Sequence, residues 1–175
     1  MKRRDFIFGG GSALLTGALF ANTPTIFKSE FAAAVAKHPH LTPYRGMASD
    51  IACEALSIEG RLPAALRGRF YRNGPANFER GNERYQHWFD GDGMVQQFRF
   101  DGGKVSHRGR LVRTAKLKSE SEAGRFLVPA FGTGIAPQTR VSGPDAMNTA
   151  NTNVIEHGAA CWPCGRAAAR TRLTR

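Results

Sequence analysis

The chain reads as an all-β protein. Beyond Leu66 it breaks into short runs rich in aromatic and β-branched residues, punctuated by Gly, Asn, Asp and Pro. From Met94 to Phe100 the side chains alternate. Met94, Phe98 and Phe100 fall on one face, and Val95, Gln97 and Arg99 on the other, the period of two expected of a half-buried strand. After the strand at 66–71 no apolar stripe at helical spacing is long enough to pack a helix. Short antiparallel strands at even spacing suit a sandwich, a barrel or a propeller blade, and periodicity alone does not separate the three.

Taken from the start, Lys2-Arg3-Arg4-Asp5-Phe6-Ile7 is a basic opening, followed by a weakly apolar stretch from Phe8 to Ala21. This looks like a twin-arginine export signal. The apolar part is too short, and too broken by Gly9-Gly10-Gly11, to span a bilayer that needs about 20 apolar residues. Ala34-Val35-Ala36 supplies the small-x-small pattern that signal peptidases accept. The expected leader is therefore residues 1–36, cut before Lys37, with the export machinery as partner and a periplasmic or secreted destination. A cytosolic amphipathic helix is the other reading of this stretch. Twin-arginine export carries folded proteins, often with a cofactor loaded, which suits a metalloenzyme assembled in the cytosol.

From Tyr44 a connecting segment leads through Ile58-Glu59-Gly60-Arg61-Leu62-Pro63 to a strand over Leu66–Tyr71. Asn73-Gly74-Pro75 is expected to stop that strand, because Asn and Gly tolerate positive φ and Pro has no amide to donate. Tyr85 to Phe89 is a second aromatic run, and Asp90-Gly91-Asp92-Gly93 is expected to form a tight hairpin returning as the strand 94–100. Asp101-Gly102-Gly103 makes the next turn. Lys104 to Thr114 follows as a strand with Val105 and Leu111 inward, then Arg125 to Phe131 as strand, Gly132-Thr133-Gly134 as loop and Asn151 to Glu156 as strand. No internal repeat is visible.

The 175 residues, 41% hydrophobic and 10% aromatic, suffice for a packed core. The net charge of +11 thins out when divided along the chain. The first 36 residues carry Lys2, Arg3, Arg4 and Lys28 against Asp5 and Glu30, and the last 18 carry Arg166, Arg170, Arg172 and Arg175 without an acid. The middle, 37–157, has 17 basic and 12 acidic residues with no run of either sign. A nucleic-acid groove needs a clustered basic face, so no nucleic-acid partner is expected.

Five stretches taken together resemble the carotenoid cleavage oxygenase family, whose members are like the retinal pigment epithelial membrane protein. They are Phe70-Tyr71-Arg72-Asn73-Gly74-Pro75, Trp88-Phe89-Asp90-Gly91-Asp92-Gly93-Met94, Arg110-Leu111-Val112-Arg113-Thr114, Phe131-Gly132-Thr133 and Asn151-Thr152-Asn153-Val154, in the family's order and spacing. The resemblance covers about residues 45–157 and implies the N-terminal portion of a seven-bladed β-propeller, incomplete here. It also implies a non-haem Fe(II) held by four histidines and the cleavage by dioxygen of a conjugated double bond. The substrate would be an apolar carotenoid, apocarotenoid or stilbene. Imidazoles bind Fe(II) while leaving positions open, and carboxylates behind them fix each ring.

The family's four histidines lie later than this sequence reaches. None of His38, His40, His87, His107 or His157 is carried over, so no catalytic, cofactor-binding or metal residue is assigned and no iron is expected in this chain. Asp90 and Asp92 lack the alternating oxygens of a calcium loop, since Met94 and Gln96 follow, and are expected to serve a turn. The propeller part is therefore 37–157. From Gly158 to Arg175 the chain departs from the family and reads as an aberrant, frame-shifted tail. Starting from the third base of the Ala159 codon, GC-rich codons can spell Gly-Leu-Leu-Ala-Leu-Trp-Glu-Gly-Gly, the strand the family has there. Cys161 and Cys164 form a lone CxxC, which could be redox-active or half a zinc site, but no second pair exists.

The sequence thus reads as a truncated carotenoid, apocarotenoid or stilbene cleavage dioxygenase, exported and itself inactive, with peripheral membrane contact as a further expectation. Too few strands are present to close a propeller, which predicts an open edge and a tendency to aggregate. The alternative is a secreted β-rich binding module without enzymatic activity. A CxxC redox protein is the third reading, and it requires a reactive thiol pair.

Overall fold

The structure, a computed structural model, describes residues 26–135, 141–157 and 160–164. The twin-arginine stretch lies outside the described residues. In chain order the elements are β1 (Ile26–Phe27), α1 (Lys28–Lys37), β2 (Ile51–Cys53), β3 (Gly68–Asn77), β4 (Glu79–Arg80), β5 (Glu83–Arg84), β6 (Asp92–Asp101), β7 (Lys104–Leu111), α2 (Ala115–Ala123), β8 (Asn153–His157) and β9 (Ala160–Cys164). The main sheet has the antiparallel order β2-β7-β6-β3, a small sheet has the order β1-β5-β4, and β8 pairs with β9. Among the described residues no helix is long and apolar enough to cross a membrane.

The β6–β7 hairpin closes on Asp101-Gly102-Gly103 as expected, with Gly102 and Gly103 both at positive φ, and Val105 and Leu111 are buried. Four other expectations are corrected. Asn73-Gly74-Pro75 does not end its strand, because β3 runs straight through to Asn77. A proline is tolerated there since β3 lies at the edge of the main sheet, and the ladder slips only between Pro75 and Asn77. Asn73 then does what a neighbouring strand would do, its Nδ2 donating at 2.8 Å to the carbonyls of both Ala150 and Asn153.

Asp90-Gly91-Asp92-Gly93 is not a hairpin. A 3-10 turn at Trp88–Asp90 delivers the chain into β6, whose partners are β3 and β7 rather than the 85–89 run. Met94 and Val95 alternate between the two faces of β6 as expected, yet both are buried. Met94 packs with Ala76, Leu111 and Leu117 on one face, and Val95 with Val112 and Ala150 on the other. This end of the sheet is covered twice.

The third correction is α2. Thr114 caps it, its Oγ1 accepting from the Leu117 amide at 3.0 Å, and Gly124 ends it at φ 64. Its buried face carries Lys116, Leu117 and Glu120. A helix that turns charges inward leaves no apolar stripe to find. Fourth, Arg125 to Phe131 is not a strand. Phe126 and Val128 are buried, but the Leu127 amide donates to the Glu120 carboxylate at 3.2 Å instead of to a ladder.

Candidate functional site

One end of the main sheet opens onto a cavity of about 1000 Å3. Its floor is the sheet face bearing Arg72, Met94 and Gln96, and its mouth is set by Trp88, Phe89 and Phe131. Phe89 and Phe131 lie 6.4 Å apart, with His87 edge-on to both at 5.2 and 5.4 Å. Phe131 is 58% exposed and Phe89 47%.

Two polar side chains from the central motifs hold this aromatic mouth in place. The Asp90 carboxylate accepts from the Gly132 amide at 3.0 Å and from Thr133 Oγ1 at 2.6 Å, and Thr133 Oγ1 in turn accepts from the Gln86 amide at 2.9 Å. Asn151 Nδ2 donates to the carbonyls of Phe89 and Gly91 at 2.8 and 2.7 Å. Three segments far apart in sequence are thereby stitched together, and the closeness of Gly132 to His87 leaves no room for a side chain at 132. A concave, mainly apolar chamber with a few placed polar groups suits a small apolar ligand.

Lys116, in the cavity wall, belongs to a buried ionic cluster. Asp92 pairs with Arg80 and, at 3.2 Å, with Lys116 Nζ. Lys116 Nζ also donates to Glu120 Oε2 at 2.9 Å and to Tyr85 Oη at 2.6 Å, so its three donors are all engaged. Tyr85 stacks on Phe126 with ring centroids 4.0 Å apart. Burial pushes the Tyr85 hydroxyl well above the usual tyrosine range, and the Asp92 and Glu120 carboxylates push it further. The two cations and two carboxylates balance in charge and tie β4, β6 and α2 together as a structural keystone, with Arg80 Nε left without a hydrogen-bond partner.

Among the described residues no histidine belongs to a metal-binding group. His38 and His40 sit beside each other at the end of α1, with rings 5.7 Å apart. His87 Nδ1 accepts from the Phe89 amide at 3.1 Å. His107 stacks on Phe98 at 4.5 Å, and its Nε2 is buried without a hydrogen-bond partner. His157 ends β8, and Cys161 and Cys164 lie on β9; their side chains fall outside the described ones. Among the described residues no group of three or more His, Cys, Asp or Glu could hold a metal ion. Among the described side chains none forms a donor set that fits an iron site, and no chemical step is assigned to one.

The tools of this site that sequence reasoning missed are Lys116, Glu120, Asn73 and Asn151. A signal existed for the first two. Thr114 and Gly124 bracket a helix-length segment as cap and stop, with Lys116 and Glu120 four apart between them.

The four-stranded antiparallel sheet thus carries a ligand-sized, mainly apolar chamber at one end. Residues 44–174 match the family profile of the retinal pigment epithelial membrane protein. The chain belongs to this family, the carotenoid cleavage oxygenases. It is 43% identical over 103 residues to the lignostilbene-alpha,beta-dioxygenase isozyme III of Sphingomonas paucimobilis, covering 58% of this chain and 21% of that protein. Against the apocarotenoid-15,15'-oxygenase of Synechocystis it is 38% identical over 116 residues, 62% of this chain and 24% of that one. A solved structure of the Synechocystis apocarotenoid oxygenase superposes with a TM-score of 0.67 at 32% identity, over 77% of this chain and 29% of the other. A cobalt-substituted form of that enzyme gives a TM-score of 0.65. The chain therefore spans between a fifth and a third of the length of these relatives, and its strands are part of a seven-bladed propeller.

Proposed function

We propose that the complete protein to which this chain corresponds cleaves a double bond in a conjugated apolar substrate, an apocarotenoid or a stilbene, with dioxygen at a non-haem iron, and that residues 1–175 alone are inactive. One observation carries the reading: the chain is 43% identical over 103 residues to an enzyme named for a lignostilbene and 38% identical over 116 residues to one named for an apocarotenoid. The apolar cavity agrees with such a substrate. Its aromatic mouth, with Trp88, Phe89 and Phe131 exposed, is also suited to peripheral contact with a membrane surface. The iron would rely on four histidines from later blades.

The test joins metal and activity. Purified 1–175 is expected to hold no stoichiometric iron and to turn over neither a lignostilbene nor an apocarotenoid. Restoring the frame at Gly158 or Ala159 should open a much longer reading frame with four widely spaced histidines, whose product takes up about one iron per chain and cleaves one of the two substrates. Stoichiometric iron in 1–175 by elemental analysis, or an early stop in the restored frame, sinks the proposal. An early stop would also mean that residues 158–175 are native sequence.

Export is proposed on the sequence Arg3-Arg4 before Asp5-Phe6-Ile7. Replacing both arginines, Arg3→Lys and Arg4→Lys, should abolish export of a reporter fused after residue 45. Periplasmic reporter from the double variant at the parental level removes the twin-arginine reading.

A further inference from the structure

Helix α1 runs through the place where the leader is expected to end. Ala34-Val35-Ala36 lies in its last turns, Lys37 is its final residue, and Val35 is buried at 4% exposure. Peptidases take their substrates as extended strands, so this window can be cut only after the helix has come off and unwound.

The strand before the helix and its first turns, Ile26 to Phe31, are tied to the domain, and Val35 is the buried residue of its last turns. β1, just before it, pairs with β5 through Ile26 opposite Arg84 and Phe27 opposite Glu83. The Lys28 amide donates to Asn82 O at 2.9 Å, and Lys28 Nζ lies 3.2 Å from the Glu79 carboxylate. The Glu30 carboxylate turns back to accept from the Phe27 amide at 3.0 Å, closing the first turn. Arg84 makes the central contact. Its guanidinium sits 3.6 Å from the Phe31 ring and 5.1 Å from the Phe78 ring, which belongs to the core. The same guanidinium pairs with Glu79 at 2.8 Å and donates to the carbonyls of Tyr44 and, at 3.3 Å, Arg45. One buried arginine therefore holds both the helix and the segment after it. Loss of residues 26–36 would strip β5 of one of its two partner strands, leaving β4, and Arg84 of the Phe31 ring.

We propose that residues 26–37 are a retained part of the folded domain, that α1 hides the Ala34–Ala36 window once the chain has folded, and that any leader removed on export is cut upstream of Ile26. The shielding follows from the packing of α1. Only the occurrence of a cut rests on the export reading above, and two measurements keep these apart.

The first uses elastase, which cuts after small apolar residues, on the purified full chain, with fragments mapped by mass spectrometry. A synthetic peptide of residues 26–45 serves as the unfolded reference, since a helix this short is marginal in isolation. Cleavage after Ala34, Val35 or Ala36 is expected to be at least about tenfold slower in the folded chain than in the peptide, because cutting tracks the open population. Arg84→Ala should restore much of the peptide's rate. Should that variant unfold globally, Lys28→Glu, which sets two carboxylates against each other at the exposed Glu79 pair, should give a smaller gain in the same direction. Equal rates in folded chain and peptide overturn the proposal whether or not the chain is exported. The second measurement is the intact mass of exported protein. An N-terminus upstream of Ile26 supports retention of α1, and one at Lys37 overturns it.

Discussion

Asp92→Ala is expected to destabilise the folded chain by about 3 to 5 kcal/mol, the usual cost of leaving buried charge unpaired. Asp92 is fully buried and is the shared partner of Arg80 and Lys116. Among the described residues its removal leaves two cations in the core with Glu120 as their ion-pair partner, at 3.7 Å from Arg80 and 2.9 Å from Lys116. The control is Asp101→Ala, which breaks the Arg99–Asp101 pair on the exposed hairpin and should cost less than about 1 kcal/mol. Urea denaturation followed by circular dichroism measures both, and shifts of similar size would sink the keystone reading. The cluster also sets an alkaline limit. Tyr85 ionises near the ordinary tyrosine value in the unfolded chain but well above it when folded. Its contribution is therefore whole below that ordinary value and is lost as pH rises through it towards the folded value. Tyr85→Phe should flatten this alkaline loss.

Gly93→Ala should be as damaging, by about 3 kcal/mol or more, with loss of soluble protein as the visible outcome. A Cβ at 93 would fall on the carbonyl oxygen of Ala150, with the carbonyl carbon at 2.6 Å and Asn151 Cα at 2.9 Å. All of this is backbone, and it cannot retreat. The Gly93 amide donates to Thr149 O at 2.7 Å, the Ala150 amide is held by Asn148 Oδ1, and the Ala150 carbonyl is held by Asn73. Ala150 is itself fully buried and kept at φ 49, a strained conformation that only over-determined surroundings maintain. Gly74 supplies the contrast. It pairs with Met94 in the neighbouring strand, yet a Cβ there meets nothing within 4 Å and its φ is not in the left-handed region. Gly74→Ala should change the midpoint by less than about 1 kcal/mol. If the two variants melt alike, the close approach at Gly93 is not what selects glycine there.

Those two glycines also mark where the primary structure stops being informative. Residue order alone determined the all-β class, the turn at Asp101-Gly102-Gly103, the inward Val105 and Leu111, and the five motifs that place the chain among the carotenoid cleavage oxygenases. Each of these rests on spacing of two to six residues or on a run of identities, which a linear string carries in full. Tertiary structure alone decided that Asn73-Gly74-Pro75 continues a strand, because that depends on β3 lying at a sheet edge with Asn73 reaching Ala150 and Asn153. It decided that Asp90 and Asp92, two residues apart in one motif, do unrelated work: one clamps Gly132 and Thr133 at the cavity mouth, and the other neutralises Arg80 and Lys116 in the core. It also decided that α2 exists, since its inner face is stabilised by charges whose partners come from β4 and β6. The physical reason is common to all three. Turn chemistry and alternation are local, whereas the worth of a buried charge or an edge amide is set by a partner tens of residues away.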